Sequence, residues 1–483
     1  MAHKDNQSMP IPIVNSIASW FLKKRFHQIE LFLKYPNEVQ NELLLDLIDE
    51  ARDTEIGRQY DFNSIESYEE FANRVPILAY EEYESLIERS RRGESNIFWP
   101  GPIKWFAKSS GTTNSKSKFI PVSSDSLEDC HYAAGKDLLC MYLNNNENST
   151  LFNGKNLRLG GSKELYEENG TTFGDLSAIL IDNMPLWAEF SSTPGNKVSL
   201  MSDWEYKMQA IVNETINENV TSLAGVPSWM LVLLNNVLES TGNKNILDVW
   251  PNLEVYFHGG VSFLPYVDQY KSIIPSKSFK YYEIYNASEG FFAIQDRNKR
   301  KELLLMLDYG IFYEFIPMDT YDSPKEIVIP LSDVKLGKNY AIVITTNAGL
   351  WRYKIGDTIR FTSINPYRIK VTGRTKHHIN VFGEELIIEN AEAALRKAAK
   401  LTHSEIVDYT AGPIFMEGKE KGAHEWIIEF KKQPDDSATF NKLLDAFLQE
   451  VNSDYEAKRY RNITLKFPKI HTARKDLFKD WLK

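Results

Sequence analysis

Short runs of β-branched and aromatic residues alternate with helix-length segments from Lys104 onward, and this alternation restricts the fold more than any other feature of the sequence. Three such runs begin at Glu254 (EVYFHGG), Phe279 (FKYYEIY) and Tyr340 (YAIVITT). A helical pattern over Ser228–Ser240 precedes the first run. Strands separated by a helix in this way are typical of parallel crossovers. The sequence therefore predicts an α/β fold of layered sheets and helices.

The two ends of the chain have patterns of their own. Up to about residue 95 the apolar residues recur at helical spacing. After Gly373 the pattern is mixed, with a helix predicted from Glu389 to Ala399 and a strand predicted at HEWIIEF from His424. One further helix face is traced by Phe440, Leu443, Leu444, Phe447, Leu448 and Val451. We therefore predict a large N-terminal domain over 1–373 and a small α+β C-terminal domain over 374–483.

Composition excludes several classes of protein. The 483 residues include 56 Lys and Arg and 66 Asp and Glu, which gives a formal net charge of -10. This balance disfavours binding to nucleic-acid backbones or anionic lipid, so we predict no nucleic-acid partner and no stable membrane association. Two cysteines, Cys130 and Cys140, make no disulfide framework and match no zinc pattern. Neither a signal peptide nor a membrane span is evident, and we predict a cytoplasmic protein.

A loop of small residues, AKSSGTTNSKSKFIP, begins at Ala107 between a predicted strand and a helix start. Gly111 permits close backbone approach, and Lys116 and Lys118 supply positive charge. Hydroxyl groups come from Ser109, Ser110, Thr112 and Thr113. The loop lacks the GxxxxGK[ST] spacing of a Walker loop. It predicts a phosphate site, and a flexible polar surface loop is the alternative.

A tight turn follows the predicted strand in YYEIYNASEG, which begins at Tyr281. Ligands collect at the carboxyl ends of strands in α/β sheets. Glu289 could therefore hold Mg²⁺ on a nucleotide, and Tyr285 could stack on a base. The alternative is a nucleophile elbow, in which Ser288 would be the attacking group of an α/β-hydrolase. That enzyme class also needs an acid and a histidine downstream, and the first glycine of its GxSxG motif is missing from this sequence.

The segment TTNAGLWRYKIGDTIRFTS, from Thr345, predicts a strand, a turn and another strand, with Asp357 at a strand end. An aspartate there is suited to accept both hydroxyls of a ribose, and an aspartate that closes a hairpin turn is the alternative. Downstream, Arg374 could offer a fork of donors to ribose or phosphate oxygens. The adjacent His377 and His378 would point to opposite sides of a strand, so no shared metal is expected.

Together and in this order, these segments resemble the acyl-adenylate-forming superfamily, which contains firefly luciferase, acyl-CoA synthetases and nonribosomal peptide adenylation domains. TEIGRQYDF from Thr54, WPNLEVYF from Trp250 and GLWRYKIGD from Gly349 resemble one branch of it, the Gretchen Hagen (auxin-responsive) acyl acid amido synthetase family. That family is known for joining plant hormones to amino acids. The chain is similar to its bacterial-type members over nearly its whole length.

The resemblance implies roles for individual residues. Ser109, Ser110, Gly111, Thr112, Thr113 and Lys118 take the phosphate-loop positions. Ser288 and Glu289 take the catalytic positions that bind phosphate and Mg²⁺, and Tyr285 takes the position that stacks on adenine. Asp357 takes the position that binds ribose, and Arg374 takes the position of the hinge arginine. Gly260, in FHGGVS, is similar to the glycine turn that lines the adenine and acyl pocket. Leu176, Met184 and His258 are expected in the acyl pocket, with core packing as the alternative.

The resemblance also implies the reaction. A carboxylic acid is adenylated by ATP with Mg²⁺, pyrophosphate leaves, and an amino acid amine then takes the acyl group. The small domain is expected to be a mobile lid on a hinge at Thr375 and Lys376, so Lys376→Pro should harm the second half-reaction more than the first. Family members often continue past a segment like DLFKDWLK into a stretch with a lysine, so no catalytic lysine is assigned, and Lys475 and Lys469 are weak candidates.

Three other functions stay open at this point. An acyl-CoA synthetase shares the adenylation step, a serine hydrolase would use Ser288, and a degenerate nucleotide-binding protein would have no turnover. A carboxylic acid and an amino acid are the small-molecule partners that the family implies. The oligomeric state is not determined by the sequence, and a monomer is compatible with it.

Overall fold

A computed structural model describes residues 25–110, 117–160, 165–375, 378–379, 382–384, 386–416, 421–460 and 464–481. These residues form an N-terminal layer of helices, a long central sheet with helices on it, a smaller sheet beside it and a C-terminal unit with its own core. The predicted α/β class with a large and a small part is confirmed. None of the helices in the described part of the chain combines the length and the apolar character that crossing a membrane requires.

The N-terminal helices pack on the antiparallel half of the central sheet. They are α1 (25–34), α2 (Pro36–Ala51), α3 (Glu55–Gln59), α4 (Tyr68–Arg74) and α5 (Tyr80–Arg91). Thr54 caps α3, because its hydroxyl accepts a hydrogen bond from the Gly57 amide (3.0 Å). Gln40 on α2 is buried and donates to the carbonyl oxygens of Leu307 (2.8 Å) and Ile311 (3.0 Å). These helices are therefore part of the scaffold, as their pattern predicts.

The smaller sheet carries the predicted phosphate loop. Its four described strands are β1 (Trp105–Ser110), β2 (Ser117–Val122), β4 (Tyr166–Glu168) and β5 (Thr171–Gly174), in the order β2-β1-β5-β4. β1 and β2 are antiparallel neighbours, with Ser110 opposite Ser117, so the loop joins the two strands of a hairpin. The first four residues of the predicted loop, from Ala107 to Ser110, belong to β1, because β2 pairs with it over its whole length.

The central sheet contains twelve of the described strands. They are β3 (Lys155–Leu159), β6 (Ser192–Thr193), β7 (Val220–Gly225), β8 (Val255–His258), β9 (Lys280–Ala287), β10 (Gly290–Ile294), β11 (Leu303–Leu305), β12 (Ile311–Pro317), β13 (Ile329–Pro330), β14 (Asn339–Thr346), β15 (Tyr353–Ile364) and β16 (Tyr367–Arg374). Their order is β13-β12-β14-β15-β16-β11-β10-β9-β8-β7-β3-β6. At one end of the sheet, neighbouring strands are parallel in the order β6-β3-β7-β8-β9. The remaining neighbours are antiparallel, so the two kinds of pairing meet at β9.

Helices cover the parallel half of the sheet, as crossover connections require. They are α6 (Ala133–Asn145), α7 (Leu176–Asp182), α8 (Leu186–Phe190), α9 (Asn196–Ser199), α10 (Trp204–Thr215), α11 (Pro227–Thr241) and α12 (Val267–Ile273). The predicted helix over Ser228–Ser240 is confirmed as α11. Pro227 occupies its first turn, and Gly242 ends it with a left-handed φ of +70°.

The C-terminal unit is an α+β arrangement. Its described elements are β17 (His378–Ile379), β18 (Leu386–Ile387), α13 (Ile388–Leu401), β19 (Glu405–Ile414), β20 (Ala423–Lys432), α14 (Ser437–Val451), α15 (Ser453–Arg459), β21 (Lys469–Thr472) and α16 (Leu477–Trp481). Phe440, Leu444 and Leu448 on α14 are buried in a core of their own, together with Trp426 of β20. The predicted boundary after residue 373 falls at the end of β16 and stays a prediction.

Candidate active site

A cavity of about 1230 Å³ opens where the two sheets and the C-terminal unit meet. Its wall includes nine of the residues that the sequence predicts for a site. These are Ser109, Leu176, Met184, Gly260, Tyr285, Ser288, Glu289, Asp357 and Arg374. Small-molecule pockets usually reach about 1,000 Å³ at most. The cavity is therefore large enough for more than one ligand at a time.

Ser288 and Glu289 form the two-residue turn between β9 and β10. Gly290 follows them, and a Cβ there would lie 2.6 Å from the Cδ1 atom of Ile311, so a larger residue would require the Ile311 side chain to shift. Burial raises the pKa of Glu289 to about 7, although the positive charges of Lys118 and Arg374 oppose the shift. At neutral pH this carboxyl group is thus close to half ionised, and a cation bound beside it would favour the ionised form.

Tyr285, Asp357 and Arg374 form a hydrogen-bonded group on three strands. The Tyr285 hydroxyl donates to Oδ2 of Asp357 (2.7 Å), and Nε of Arg374 donates to Oδ1 (2.8 Å). Asp357 lies directly opposite Arg374 in the register of β15 and β16. Burial and the nearby carboxylate raise the pKa of Tyr285 well above its usual value, so the phenol stays protonated and keeps donating. The Asp357 carboxylate is therefore held in one orientation at the cavity wall.

The predicted position of Asp357 at a strand end is wrong. Asp357 is the fifth residue of the twelve-residue strand β15, which continues to Ile364 because β14 pairs with it on one side and β16 on the other. Its neighbour Gly356 has a left-handed φ of +88° and accepts a hydrogen bond from the Thr375 amide (2.8 Å). The carboxylate thus reaches the cavity from the middle of a strand.

The glycine turn after β8 depends on the absence of side chains. A Cβ on Gly259 would lie 2.7 Å from the carbonyl oxygen of Ile284, and Gly260 has a left-handed φ of +82°. Both glycines line the cavity. The turn therefore brings backbone close to any ligand that lies against β9.

The structure describes part of the predicted phosphate loop and part of the predicted hinge. Ser109 lines the cavity, and Lys118 opposite it on β2 places its Nζ 5.3 Å from the centre of the Tyr80 ring. Gly111, Thr112, Thr113 and Lys376 lie outside the described residues. The backbone of Ser110 ends β1, and that of Thr375 follows β16 directly.

The predicted acyl-pocket residues divide between two faces of the sheet. Leu176, at the start of α7, and Met184 line the cavity, whereas His258 does not. Side chains alternate along a strand, so Phe257 faces the cavity while His258 is directed to the opposite face. There its ring stacks on Phe263 at 4.1 Å, and burial lowers its pKa to about 3. The assignment of His258 to the acyl pocket is therefore wrong.

Two largely buried cations at the cavity are not predicted from the sequence. Lys458 of α15 is 5% exposed and lies over the Trp229 ring of α11, with Nζ 4.1 Å from the ring centre. Arg158 of β3 is 8% exposed. An arginine inside the apolar strand KNLRL is a signal that could have drawn attention to Arg158. The position of Lys458 depends on how the C-terminal unit packs, which no local pattern reports.

Family models match three consecutive parts of the chain. The GH3 family N-terminal domain matches residues 25–279, the GH3 family central domain 304–374 and the GH3 family C-terminal domain 389–483. Together they cover most of the sequence.

Individual relatives are plant enzymes at low identity. Indole-3-acetic acid-amido synthetase GH3.4 of Arabidopsis thaliana is 23% identical, with 79% of this chain and 75% of the relative covered. Jasmonoyl-L-amino acid synthetase JAR4 of Nicotiana attenuata is 24% identical, with coverage of 80% and 78%.

Solved structures share the fold. The acyl acid amido synthetase AtGH3.15 in complex with 2,4-DB has a TM-score of 0.65 at 17% identity, and the match covers 100% of this chain and 92% of that one. A 2-hydroxyisobutyryl-CoA ligase in complex with 2-HIB-AMP and CoA has a TM-score of 0.58 at 14% identity, with coverage of 92% and 88%. The chain therefore belongs to the GH3 family, and its fold is that of the acyl acid amido synthetases and adenylate-forming ligases.

Proposed function

We propose that this protein is an ATP-dependent acyl acid amido synthetase, which adenylates a carboxylic acid and passes the acyl group to the amine of an amino acid. The observation that carries the proposal is the convergence of Ser109, Glu289 and Asp357 on one cavity. The relatives that are named as amido synthetases support the same reaction class. A carboxylate is a poor acylating agent, so its activation by a nucleotide is the step that such a cavity has to assist.

The nucleotide would lie between β9 and β15. Asp357 can accept hydrogen bonds from both ribose hydroxyls, while Tyr285 and Arg374 hold its carboxylate in place. The backbone of Gly259 and Gly260 permits close approach of a flat base. Fixing the nucleoside in this way orients the α-phosphate toward the acyl acid, and such positioning supplies a large part of the rate enhancement in reactions of two bound substrates.

Glu289 has the chemistry of a magnesium ligand. Mg²⁺ is usually held by one or two carboxylates together with substrate phosphates, and Glu289 brings one carboxyl group to the cavity wall beside the charges of Lys118 and Arg374. No group of three or more His, Cys, Asp or Glu side chains with metal-site geometry occurs among the described residues, which fits an ion shared with a nucleotide rather than a fully protein-built site. When bound, Mg²⁺ would neutralise charge on the phosphates.

The C-terminal unit would take part in the second step. Lys458 of α15 and Pro413 of β19 line the cavity, so the C-terminal unit contributes to its wall. Gln269 of α12 donates to the carbonyl oxygen of Met416 (2.5 Å), which joins that unit to the rest of the chain. A closed arrangement limits the access of water, which otherwise hydrolyses an acyl-adenylate. We propose that Thr375 and Lys376 act as the hinge of this unit, which makes residues 374–483 a lid on the ATP- and acyl-binding part.

The serine hydrolase alternative is disfavoured by the geometry of Ser288. A nucleophile elbow lies between a strand and a helix, whereas Ser288 lies between the antiparallel strands β9 and β10. Within the described ranges, no hydrogen bond joins Ser288 to a histidine. Ester hydrolysis without ATP is therefore not expected.

Pyrophosphate exchange and product analysis test the proposal. We expect acid-dependent exchange of labelled pyrophosphate into ATP, and an N-acyl amino acid when amino acids are added. Coenzyme A should not replace the amino acid as acceptor. Formation of acyl-CoA without amide would instead indicate an acyl-CoA synthetase, and binding of ATP without exchange for any acid would indicate a protein without turnover.

Replacing Lys458 with methionine should separate the two half-reactions. The variant loses a largely buried cation that lies on an aromatic ring, an interaction of up to about 2 kcal/mol, so we expect amide formation to fall roughly 10-fold or more. Pyrophosphate exchange should change less than about threefold, since the residues that face the nucleotide are unaltered. Lys397→Met is the control, because Lys397 is exposed and pairs with Glu450 on the C-terminal unit. Equal loss in both assays would contradict a role in the second step.

A further inference from the structure

Arg158 is a buried cation of the cavity wall that the chemistry described above does not use. It lies on β3, faces the cavity and is 8% exposed. Its Nη2 donates to Oδ1 of Asn196 (2.5 Å), and its Nη1 contacts the sulfur of Met184 (2.6 Å). Its Nε is buried and has no hydrogen-bond partner. A thioether is a weak acceptor, so one amide oxygen is the single strong acceptor that this guanidinium finds in the described chain.

The charge of Arg158 is also uncompensated at short range. None of the ion pairs within 4.0 Å in the described part of the chain includes Arg158, and Glu189 acts on it only as a more distant negative charge. Buried charges are normally paired, because the loss of hydration is costly. Consistent with this cost, burial lowers the pKa of the Arg158 guanidinium. A planar group with free donors in a cavity wall is suited to receive a carboxylate from a ligand.

Arg158 lies at the acyl end of the cavity rather than at the nucleotide end. In the register of the parallel strands, Arg158 pairs with Ala224 of β7, which pairs with Phe257 of β8. Phe257 in turn pairs with Tyr282 of β9. Three strand spacings separate the backbones of Arg158 and Tyr282, a distance of about 14 Å. Met184, which contacts the guanidinium, is a predicted acyl-pocket residue. An acid whose reacting carboxylate lies near the nucleotide would therefore extend its other end toward Arg158.

We propose that Arg158 binds a second, distal carboxylate of the acyl acid, so that the preferred substrates are dicarboxylic acids. This inference rests on the proposed function, because it assigns the substrate class of the same cavity. The distal carboxylate accepts hydrogen bonds from the N–H groups of Arg158 that face the cavity, and it neutralises the buried charge. A simple monocarboxylic acid would leave the charge of the guanidinium without that compensation.

Matched pairs of acids test the inference in the pyrophosphate exchange assay, which contains no amino acid. The pairs are hexanoate with hexanedioate, octanoate with octanedioate, and 4-methylbenzoate with terephthalate. We expect the dicarboxylate of at least one pair to have a kcat/KM higher by roughly 10–100-fold, as a charge-assisted pair in a cavity provides. Arg158→Met should remove that preference, and Arg158→Lys should keep part of it. Lys155→Met is the control, because Lys155 lies on the same strand and pairs with Glu218.

Thermal unfolding separates this inference from the proposed function. Without ligand, Arg158→Met should unfold at the same or a higher temperature than the unchanged protein, since a poorly compensated buried charge is removed. The dicarboxylate of the preferred pair, or octanedioate if no acid supports exchange, should raise the unfolding temperature of the unchanged protein and not that of Arg158→Met.

Four outcomes would overturn the inference. They are a preference for the monocarboxylates, an equal loss for both members of a pair in Arg158→Met, an effect confined to amide formation, and no thermal shift that depends on Arg158. Exchange with monocarboxylates alone would overturn the assignment of Arg158 and leave the ligase function standing. Absence of exchange with every acid would refute the ligase function, and the thermal shift would still decide whether Arg158 binds a carboxylate.

Discussion

Replacing Glu289 with glutamine is expected to lower kcat/KM for pyrophosphate exchange on the order of 10²–10³-fold at saturating Mg²⁺. The substitution keeps the shape of the side chain in the β9–β10 turn but removes the carboxylate that we assign to the metal-bound phosphates. Glu168→Gln is the control, because Glu168 is exposed on β4 and does not line the cavity. A Glu289→Gln variant that retains activity within about threefold would remove Glu289 from the mechanism.

The same variant should be more stable than the unchanged protein at alkaline pH. The pKa of Glu289 is raised from 4.5 to about 7 in the folded protein, so its stabilising contribution is fully present below about pH 4.5 and is lost as the pH rises through 7. Above that value the buried carboxylate costs up to about 3 kcal/mol, which glutamine avoids. Urea unfolding in the absence of Mg²⁺ and nucleotide at pH 8 and pH 4.5 measures the difference. Equal stabilities at pH 8 would show that the carboxyl group is not desolvated.

Replacing Asp357 with asparagine is expected to raise the KM for ATP on the order of 10²-fold. An amide has one acceptor oxygen where the carboxylate has two, so it cannot serve Tyr285, Arg374 and a ribose together. Pyrophosphate exchange over a range of ATP concentrations gives the KM directly. The loss should exceed the typical cost of a single neutral hydrogen bond, because two hydrogen bonds to a charged group are affected.

Tyr285→Phe distinguishes ribose binding from a purely structural role of this group. It removes the hydroxyl that donates to Asp357 but leaves both carboxylate oxygens and the aromatic ring at the cavity. We expect a change in the KM for ATP of less than about 10-fold. If Tyr285→Phe is as harmful as Asp357→Asn, the carboxylate organises the strands rather than contacting the nucleotide.

Much of the architecture was predictable because it depends on local patterns. The helix α11 and the strand β8 follow from apolar spacing, and the amphipathic face of α14 is buried as its i, i+3 and i+4 positions indicate. The α/β class, the GH3 family and the ligase class that the motifs predict are confirmed. Motifs in loops after strands were informative, since the topology brings the β9–β10 turn and the β8 glycine turn to one cavity.

The wrong predictions have a common physical origin. The prediction that His258 lines the pocket follows from its position next to the glycine turn, but strand alternation directs the side chain away from the cavity. The prediction of a strand end at Asp357 follows from the preceding Gly356, whereas pairing with β14 and β16 continues the strand past Asp357. In both cases the neighbours across the sheet, which are distant in sequence, decide the position of the side chain.

The missed residues depend on contacts over a longer range. Lys458 meets Trp229 only through the packing of the C-terminal unit on α11, and the two residues are separated by more than two hundred positions. The apolar strand around Arg158 marks this arginine as unusual, but only the three-dimensional structure shows that no described carboxylate lies within ion-pair distance of it. Patterns within one segment carry no information on either contact.

Transfer of oxygen from the acyl acid to AMP tests the central claim most directly. The acid, labelled with ¹⁸O in its reacting carboxylate, is incubated with ATP, Mg²⁺ and an amino acid, and the nucleotide products are examined by mass spectrometry. Attack of the carboxylate on the α-phosphate predicts one ¹⁸O atom in AMP, none in pyrophosphate and an amide that retains the other. Unlabelled AMP, or ADP with ¹⁸O in inorganic phosphate, would contradict adenylation in this cavity.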